Sequence, residues 1–263
     1  MLRHHLTMTV VLLSVAAVGT LLAPAALAVE WKDYAEFQHT SALPGNGYAV
    51  NENGQVGFLG AFHMNVPCAY TPCSGNYAAC YYSGSNDSAL RFSTGGINTD
   101  STGMIGLGFG KPGAGLYLSE TFVESRLSVN CFNFQWQLHD ETRDVPAIAV
   151  GVLDILDQRE ARLGEPHGAR SFYITMTRKV TSTDTPVYTS LGFGSGRFED
   201  RPFGAVSWFP TDWAMLGFEY DGRMPRPHGA LNVYTTDKWN VTGAIGWSNF
   251  ERPVVGFNIT YSD

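Results

Sequence analysis

Long hydrophobic runs and charged residues are both scarce in this 263-residue sequence. After residue 28, no apolar run reaches the ~20 residues that a membrane-spanning helix needs. Any membrane span must therefore consist of strands. Charged residues make up 16% of the chain and the net charge is −7, whereas an ordinary soluble domain is about 25% charged. The acidic balance argues against nucleic acid as a partner.

The sequence also lacks the spacings that mark catalytic and cofactor sites. The glycine-rich runs at 106–110 and 191–196 have no following GK[ST], so neither is a phosphate loop, and glycine there relieves crowding inside a barrel. The candidate acids and bases match no catalytic signature: His139, Asp140, Asp154, Asp157, His167, Glu219 and Asp221. We therefore predict no enzymatic activity, no metal and no cofactor.

The first 28 residues have the pattern of a secretory signal peptide. A short basic start is followed by an apolar run from Leu12 to Leu22 and by the small-residue site Ala26-Leu27-Ala28. We expect cleavage after Ala28, and no cysteine follows directly that would carry a lipid anchor. The signal indicates an exported protein.

Four cysteines are present, three of them close together and one distant: Cys68, Cys73, Cys80 and Cys131. In an oxidising compartment, disulfides are the favoured interpretation, with three possible connectivities. A zinc site is the alternative, but no CxxC pair occurs.

From residue 103 onward, segments of alternating character are separated by turn residues, which is the pattern of antiparallel strands. Eleven strands are predicted, near 103–109, 114–122, 126–138, 146–154, 170–180, 186–194, 203–209, 212–220, 229–235, 238–247 and 253–262. Residues 29–102 are rich in Gly, Ser and Asn, with strands predicted at 55–62 and 89–92. Because bacterial barrels usually have an even number of strands, we expect twelve in one domain, with ten or fourteen as alternatives.

The two faces of these strands favour an up-and-down transmembrane β-barrel. In 239–247 and 254–261, one face is large and apolar while the other is small, polar and uncharged. Such a pair of faces suits lipid outside and a crowded lumen inside. Charges are instead concentrated in the connections. The alternative is a secreted soluble β-sandwich that binds carbohydrate, whose outer face would carry more charge.

Connection lengths predict a topology in which turns near 110–114, 181–186, 210–212 and 236–238 are periplasmic. The longer segments 155–169, 195–202 and 221–228 are then external. The external mouth is predicted to be charged, through Arg197, Glu199, Asp200, Arg201, Asp221, Arg223 and Arg226. Aromatic girdles are predicted from Trp213, Trp239 and Tyr261 at one rim and Phe198, Tyr220, Trp247 and Phe250 at the other, whereas Trp136 and Trp208 are assigned to core packing.

Residues on the polar faces of the strands are predicted to line the lumen and to bind a substrate there. They are Tyr117, Tyr173, Tyr188, Glu219, Asn240 and Asn258. Tyrosine and amide groups suit stacking on and hydrogen bonding to a sugar, and equally suit a lumen that is simply filled. The expected function is a narrow pore or a structural component of the outer membrane. The expected partners are outer-membrane lipid, a polysaccharide or small polar solute, and the barrel-assembly machinery during biogenesis.

Several strand motifs resemble the barrel repeats of YjbH-type outer-membrane proteins linked to exopolysaccharide production. They are SFYITMTRKV, VYTSLGFGSGRF, RPFGAVSWFPTDWAMLGFEYDGR and VVGFNITYSD, and TGGINTDSTGMIGLGFG resembles the segment that opens the barrel in that family. The resemblance covers roughly residues 95–262. It implies an accessory role in envelope polysaccharide export.

Overall fold

The computed structural model describes residues 42–84, 101–123, 130–157, 170–181, 184–248 and 252–263. Within these ranges, no helix is long and apolar enough to cross a membrane. In the part of the chain that the structure describes, the regular structure is nearly all strand, with one short 3-10 turn at Gly196–Phe198.

Twelve strands form a closed antiparallel barrel in which each pairs with the next along the chain and the last pairs with the first. The wall runs from β3 to β14, and the short strands β1 (Ala49–Val50) and β2 (Val56–Gly57) pair separately. The wall strands are β3 (Asn76–Gly84), β4 (Ser101–Lys111), β5 (Ala114–Val123), β6 (Asn130–His139), β7 (Ala147–Leu153), β8 (Ser171–Lys179), β9 (Val187–Gly194), β10 (Arg201–Trp208), β11 (Ala214–Tyr220), β12 (Pro225–Thr235), β13 (Trp239–Ser248) and β14 (Arg252–Ser262).

The predicted number of twelve strands is confirmed, but one strand was assigned to the wrong residues. The eleven predicted strands correspond to β4 through β14, and the twelfth is 76–84. The strand predicted at 55–62 is wrong as a wall element, because only Val56–Gly57 is strand and it pairs with β1. The strand predicted at 89–92 lies outside the described residues.

The barrel has two ends, which we name by their connections. The short-turn end carries the turns at 112–113, 209–213 and 236–238, together with the start of β3 and the end of β14. The loop end carries 195–200 and 221–224. This arrangement matches the predicted grouping of connections.

The strand faces separate by polarity as predicted. Outward side chains are large and apolar, with Phe257 45% exposed and Leu191 63% exposed. Inward side chains are small or polar, and Thr242 and Asn258 are fully buried. Since a soluble barrel would place its polar groups outside, this inversion is that of a transmembrane barrel.

Aromatic residues gather at the rim of the short-turn end, but some individual placements were wrong. Tyr261 packs against Trp239 at 4.9 Å and against Tyr77 at 5.8 Å, measured between ring centroids. Phe198, predicted for the opposite rim, is instead fully buried inside the barrel. Trp136 and Trp208, assigned to core packing, are exposed on the outer surface because their strand phase is outward. Phe250 lies outside the described residues.

The predicted disulfides are not formed, and all four cysteines are buried. Cys80 on β3 and Cys131 on β6 are aligned in register through Met104 and Thr121, three strand spacings apart. That separation is ~14 Å along the wall, whereas a disulfide needs Cα atoms within ~7 Å. Among the described residues, no three His, Cys, Asp or Glu side chains form a metal-binding group either.

Replacing Leu191 by Arg tests the outer face. A guanidinium near the middle of β9 would face hydrocarbon, so the free energy of unfolding in lipid vesicles should fall by ~2–4 kcal/mol. The matched control is Leu59→Arg, because Leu59 is also exposed, at 45%, but precedes the wall. That change should stay within ~0.5 kcal/mol. Equal losses in the two variants would contradict the assigned outer face.

Candidate functional site: an occupied lumen

The lumen is filled by residues 42–75 of the same chain, which we call the inner segment. Its larger side chains are fully buried, including Tyr48, Phe62 and Tyr70. It contains little regular structure, since its frequent Gly, Pro and Asn favour turns. Its own bonds fold it back on itself, as where the Asn46 side chain donates to the Val66 carbonyl at 2.6 Å.

Polar side chains of the wall bind the backbone of the inner segment. Ser207 accepts from the Phe62 N–H at 3.0 Å and donates to the Phe62 carbonyl at 2.6 Å. Thr177 accepts from the Ala69 N–H at 2.6 Å.

The same kind of contact continues on neighbouring strands. Gln135 donates to the Cys68 carbonyl at 2.9 Å, and Thr175 donates to the Pro67 carbonyl at 3.1 Å. The segment has few strand partners of its own, so these side chains satisfy backbone groups that would otherwise be buried without partners.

Glycines on the wall leave room for this filling. A Cβ atom on Gly106 would lie 1.8 Å from the Tyr117 hydroxyl oxygen, and one on Gly108 would lie 2.3 Å from the Cys73 carbonyl oxygen. Glycine at these positions therefore lets a lumen tyrosine and the inner segment approach the wall closely.

The six predicted lumen residues all face inward, which confirms their strand phase. Each is at most 6% exposed: Tyr117, Tyr173, Tyr188, Glu219, Asn240 and Asn258. Their partners differ, because Tyr173 donates to Gln135 at 2.7 Å whereas Asn258 donates to the Gly47 carbonyl. They do not line one open path, and their role in solute binding stays a prediction.

Glu219 holds the tip of the inner segment near the loop end. Its Oε2 accepts three backbone N–H bonds, from Met64 at 3.1 Å, Asn65 at 3.0 Å and Val66 at 3.2 Å. The Asn65 side chain also lies 3.4 Å from Oε1. Successive N–H groups aimed at one point form an anion-binding concavity, and bonds to a charged acceptor are about twice as strong as neutral ones. The sequence pattern placed Glu219 in the lumen but carried no sign of this partner.

The predicted charges at the loop end form a paired cluster around this tip. Arg226 Nε lies 2.8 Å from Asp221 Oδ2, and both side chains are nearly fully buried. Arg223 lies 2.9 Å from Glu199. Arg197 donates to the Asn65 side chain at 3.2 Å, which joins the cluster to the inner segment.

Asp221 is ionised within this cluster. Burial would raise its pKa, but the positive charges of Arg226 and Arg197 oppose that effect. Backbone N–H groups of Met224 and Arg223 also donate to its Oδ1, at 3.0 and 3.1 Å. The net result is a pKa below the ordinary value of an aspartate.

Two buried histidines also lie at the contact between segment and wall, and the sequence analysis missed both. His63 Nδ1 is 3.0 Å from the Val66 carbonyl oxygen. On the wall, His228 Nε2 is 3.3 Å from the Phe62 carbonyl oxygen, and its ring stacks on Phe62 at 6.1 Å. Strand alternation around 228 could have placed His228 inward, but no signal identified its partner.

No protein-family model and no curated protein matches this sequence. Broadly similar solved structures include the outer membrane protein Omp33 of Acinetobacter baumannii, at 8% identity and a TM-score of 0.43, covering 72% of this chain and 98% of that one. A KdgM porin has 10% identity and a TM-score of 0.48, with coverage of 71% and 99%. Outer membrane phospholipase A from Escherichia coli has 10% identity and a TM-score of 0.45, with coverage of 73% and 98%. All three TM-scores are below 0.5, and the YjbH-type resemblance stays a prediction.

Asp221→Asn should destabilise the protein in a pH-dependent way. At pH 7 the variant removes the carboxylate charge that lies 2.8 Å from the buried Arg226 guanidinium, and breaking a buried ion pair in this way costs ~3–5 kcal/mol. Because the folded-state pKa is lowered, the stabilisation by Asp221 is complete above the unfolded value of ~3.9 and is lost as pH falls through the folded value.

Thermal unfolding in detergent should therefore show a large difference between wild type and variant at pH 7 that shrinks below pH 4. The control is Asp200→Asn, an exposed position at the same end. A difference that stays constant with pH would contradict the assignment of an ionised Asp221.

Proposed function

We propose that this protein is an outer-membrane β-barrel channel whose lumen is closed at rest by its own residues 42–75. Small polar solutes would pass only when the inner segment is displaced from the lumen. The observation that carries the proposal is the set of wall side chains bound to the backbone of that segment, centred on Glu219.

The outer-membrane location is supported by the apolar outer face, the closed wall and the predicted signal peptide. Exposed apolar side chains such as Leu191, Phe193 and Phe257 would be costly in water and suit lipid. The rule of short periplasmic turns and longer outer loops supports a periplasmic position for the short-turn end. The loop end, with Glu219 and Arg226 nearby, would then face outward.

The contacts that hold the segment suit reversible displacement. Hydroxyl, amide and carboxylate groups can exchange a backbone partner for water, at a net ~0.5–1.5 kcal/mol for each bond. Burial of Tyr48, Phe62 and Tyr70 opposes release. The closed state should therefore dominate, with rare openings.

A purely structural role is the second candidate, because a lumen filled to this extent could be permanent. The accessory role in polysaccharide export rests on the YjbH-type resemblance alone. The absence of enzymatic activity likewise stays a prediction.

Conductance across planar bilayers tests the proposal through Glu219→Gln. This isosteric change removes the charge that three N–H groups share, so the tip should be held less tightly. Wild type should open rarely, and the variant should open at least tenfold more often. The matched control is Glu120→Gln, because Glu120 alternates with inward residues and faces outward on β5.

A steady, wide conductance in wild type would contradict a closed lumen. Equal opening frequencies in the two variants would contradict the role of Glu219. A folded, inserted protein that never conducts, even with Glu219→Gln, would overturn the channel and favour the structural role.

A further inference from the structure

A cleft of about 680 Å³ opens at the short-turn end, beside the inner segment. Residues 51 and 55–59 of the inner segment form one side of it. Wall residues from 212–213, 232 and 235–240 form the other. Its volume falls within the roughly 300–1,000 Å³ of small-molecule sites.

The cleft combines apolar surface with oriented amides. Phe58, Leu59 and Trp213 supply the apolar part, and Phe58 is fixed edge-on against Phe209 at 5.4 Å. The amide part is centred on Asn232 and Asn240.

Asn232 and Asn240 are held in defined orientations. Asn240 Nδ2 donates to Asn232 Oδ1 at 2.9 Å, and Asn240 Oδ1 accepts from Thr242 at 2.8 Å. An asparagine side chain carries two N–H donors and an acceptor oxygen, which match hydroxyl groups that both donate and accept.

The charge of the cleft is acidic. Asp212 and Asp237 lie on its wall. Among the described residues that line the cleft, the one cation is Lys238, and its ammonium group is paired with the Asp263 side chain. Anionic ligands would meet two carboxylates without a free ammonium group to offset them.

We propose that this cleft binds a neutral saccharide of about two or three rings. The C–H faces of the rings would pack on Trp213, Phe58 and Leu59, and the hydroxyls would bond to the amide of Asn232, whose orientation Asn240 fixes. The carboxylates of Asp212 and Asp237 would exclude uronic acids and other acidic sugars.

The site is built jointly by segment and wall, so it exists only while the inner segment is seated. A ligand that binds the seated state alone stabilises it by RT ln(1 + [L]/Kd), and the coupling is reciprocal. If the channel is closed by the inner segment as proposed above, this coupling predicts that a neutral saccharide in the periplasm keeps the barrel closed.

Calorimetric titration of the full-length folded protein with maltotriose tests the site directly. We expect saturable binding of maltotriose and none of a trisaccharide of uronic acids. Asn232→Ala should weaken maltotriose binding at least tenfold. Asn53→Ala, at an exposed position of the inner segment outside the cleft lining, should leave it unchanged.

A second variant, Asp237→Lys, keeps the test valid if Asn232→Ala fails to fold. Asp237 is exposed, so its replacement should not disturb the fold. This variant should gain affinity for the uronic acid trisaccharide, a gain that a misfolded variant could not give. Absence of maltotriose binding to wild type, or equal binding of both sugars, would overturn the site. Because no conductance is measured, that failure would leave the closed channel standing.

The coupling has its own readout. Maltotriose added on the periplasmic side should reduce the openings of the Glu219→Gln variant at least tenfold at saturation. Binding that leaves those openings unchanged would overturn the coupling.

Discussion

Inside a closed barrel, the polar groups that point into the lumen are cut off from water, and in this protein the backbone of residues 42–75 supplies partners to those of Ser207, Gln135, Thr175, Thr177 and Glu219. The wall satisfies its own backbone from strand to strand, so lumen side chains are the groups left over. Glu219 needs partners more than the neutral lumen side chains do, because it is a fully buried carboxylate. Three consecutive N–H groups provide the partners that a buried charge requires.

This pairing works in both directions. An irregular segment exposes N–H and C=O groups that it cannot satisfy internally, and Ser207, Gln135 and Thr177 bind them. These contacts satisfy polar groups of the wall and of the segment at the same time. The charged cluster of Arg226 and Asp221 then covers the tip at the loop end.

Strand alternation predicted most of the wall, because the period of two separates lipid-facing from lumen-facing side chains wherever one face is apolar. Phe257 and Asn258 are adjacent residues with opposite environments, and both were assigned correctly. Residues 76–84 escaped prediction because NYAACYYSG has small or aromatic residues on both faces and no clear alternation.

The inner segment could not be predicted from the sequence. Its fold depends on contacts such as Phe62 with Ser207, which are 145 positions apart, and no local pattern encodes them. The disulfide prediction was wrong for a related reason, because sequence spacing does not show which residues the fold brings together. Their close spacing suggested disulfides, whereas strand register separates Cys80 from Cys131 and no disulfide is formed.

Hydrogen–deuterium exchange on the protein in lipid nanodiscs tests the closed lumen most directly. The account predicts that the amides of Met64, Asn65, Val66, Ala69 and Thr71, which donate to wall side chains, exchange as slowly as those of the wall strands. Exchange of these amides at the rate of an unstructured peptide, while the wall stays protected, would show an unoccupied lumen and contradict it.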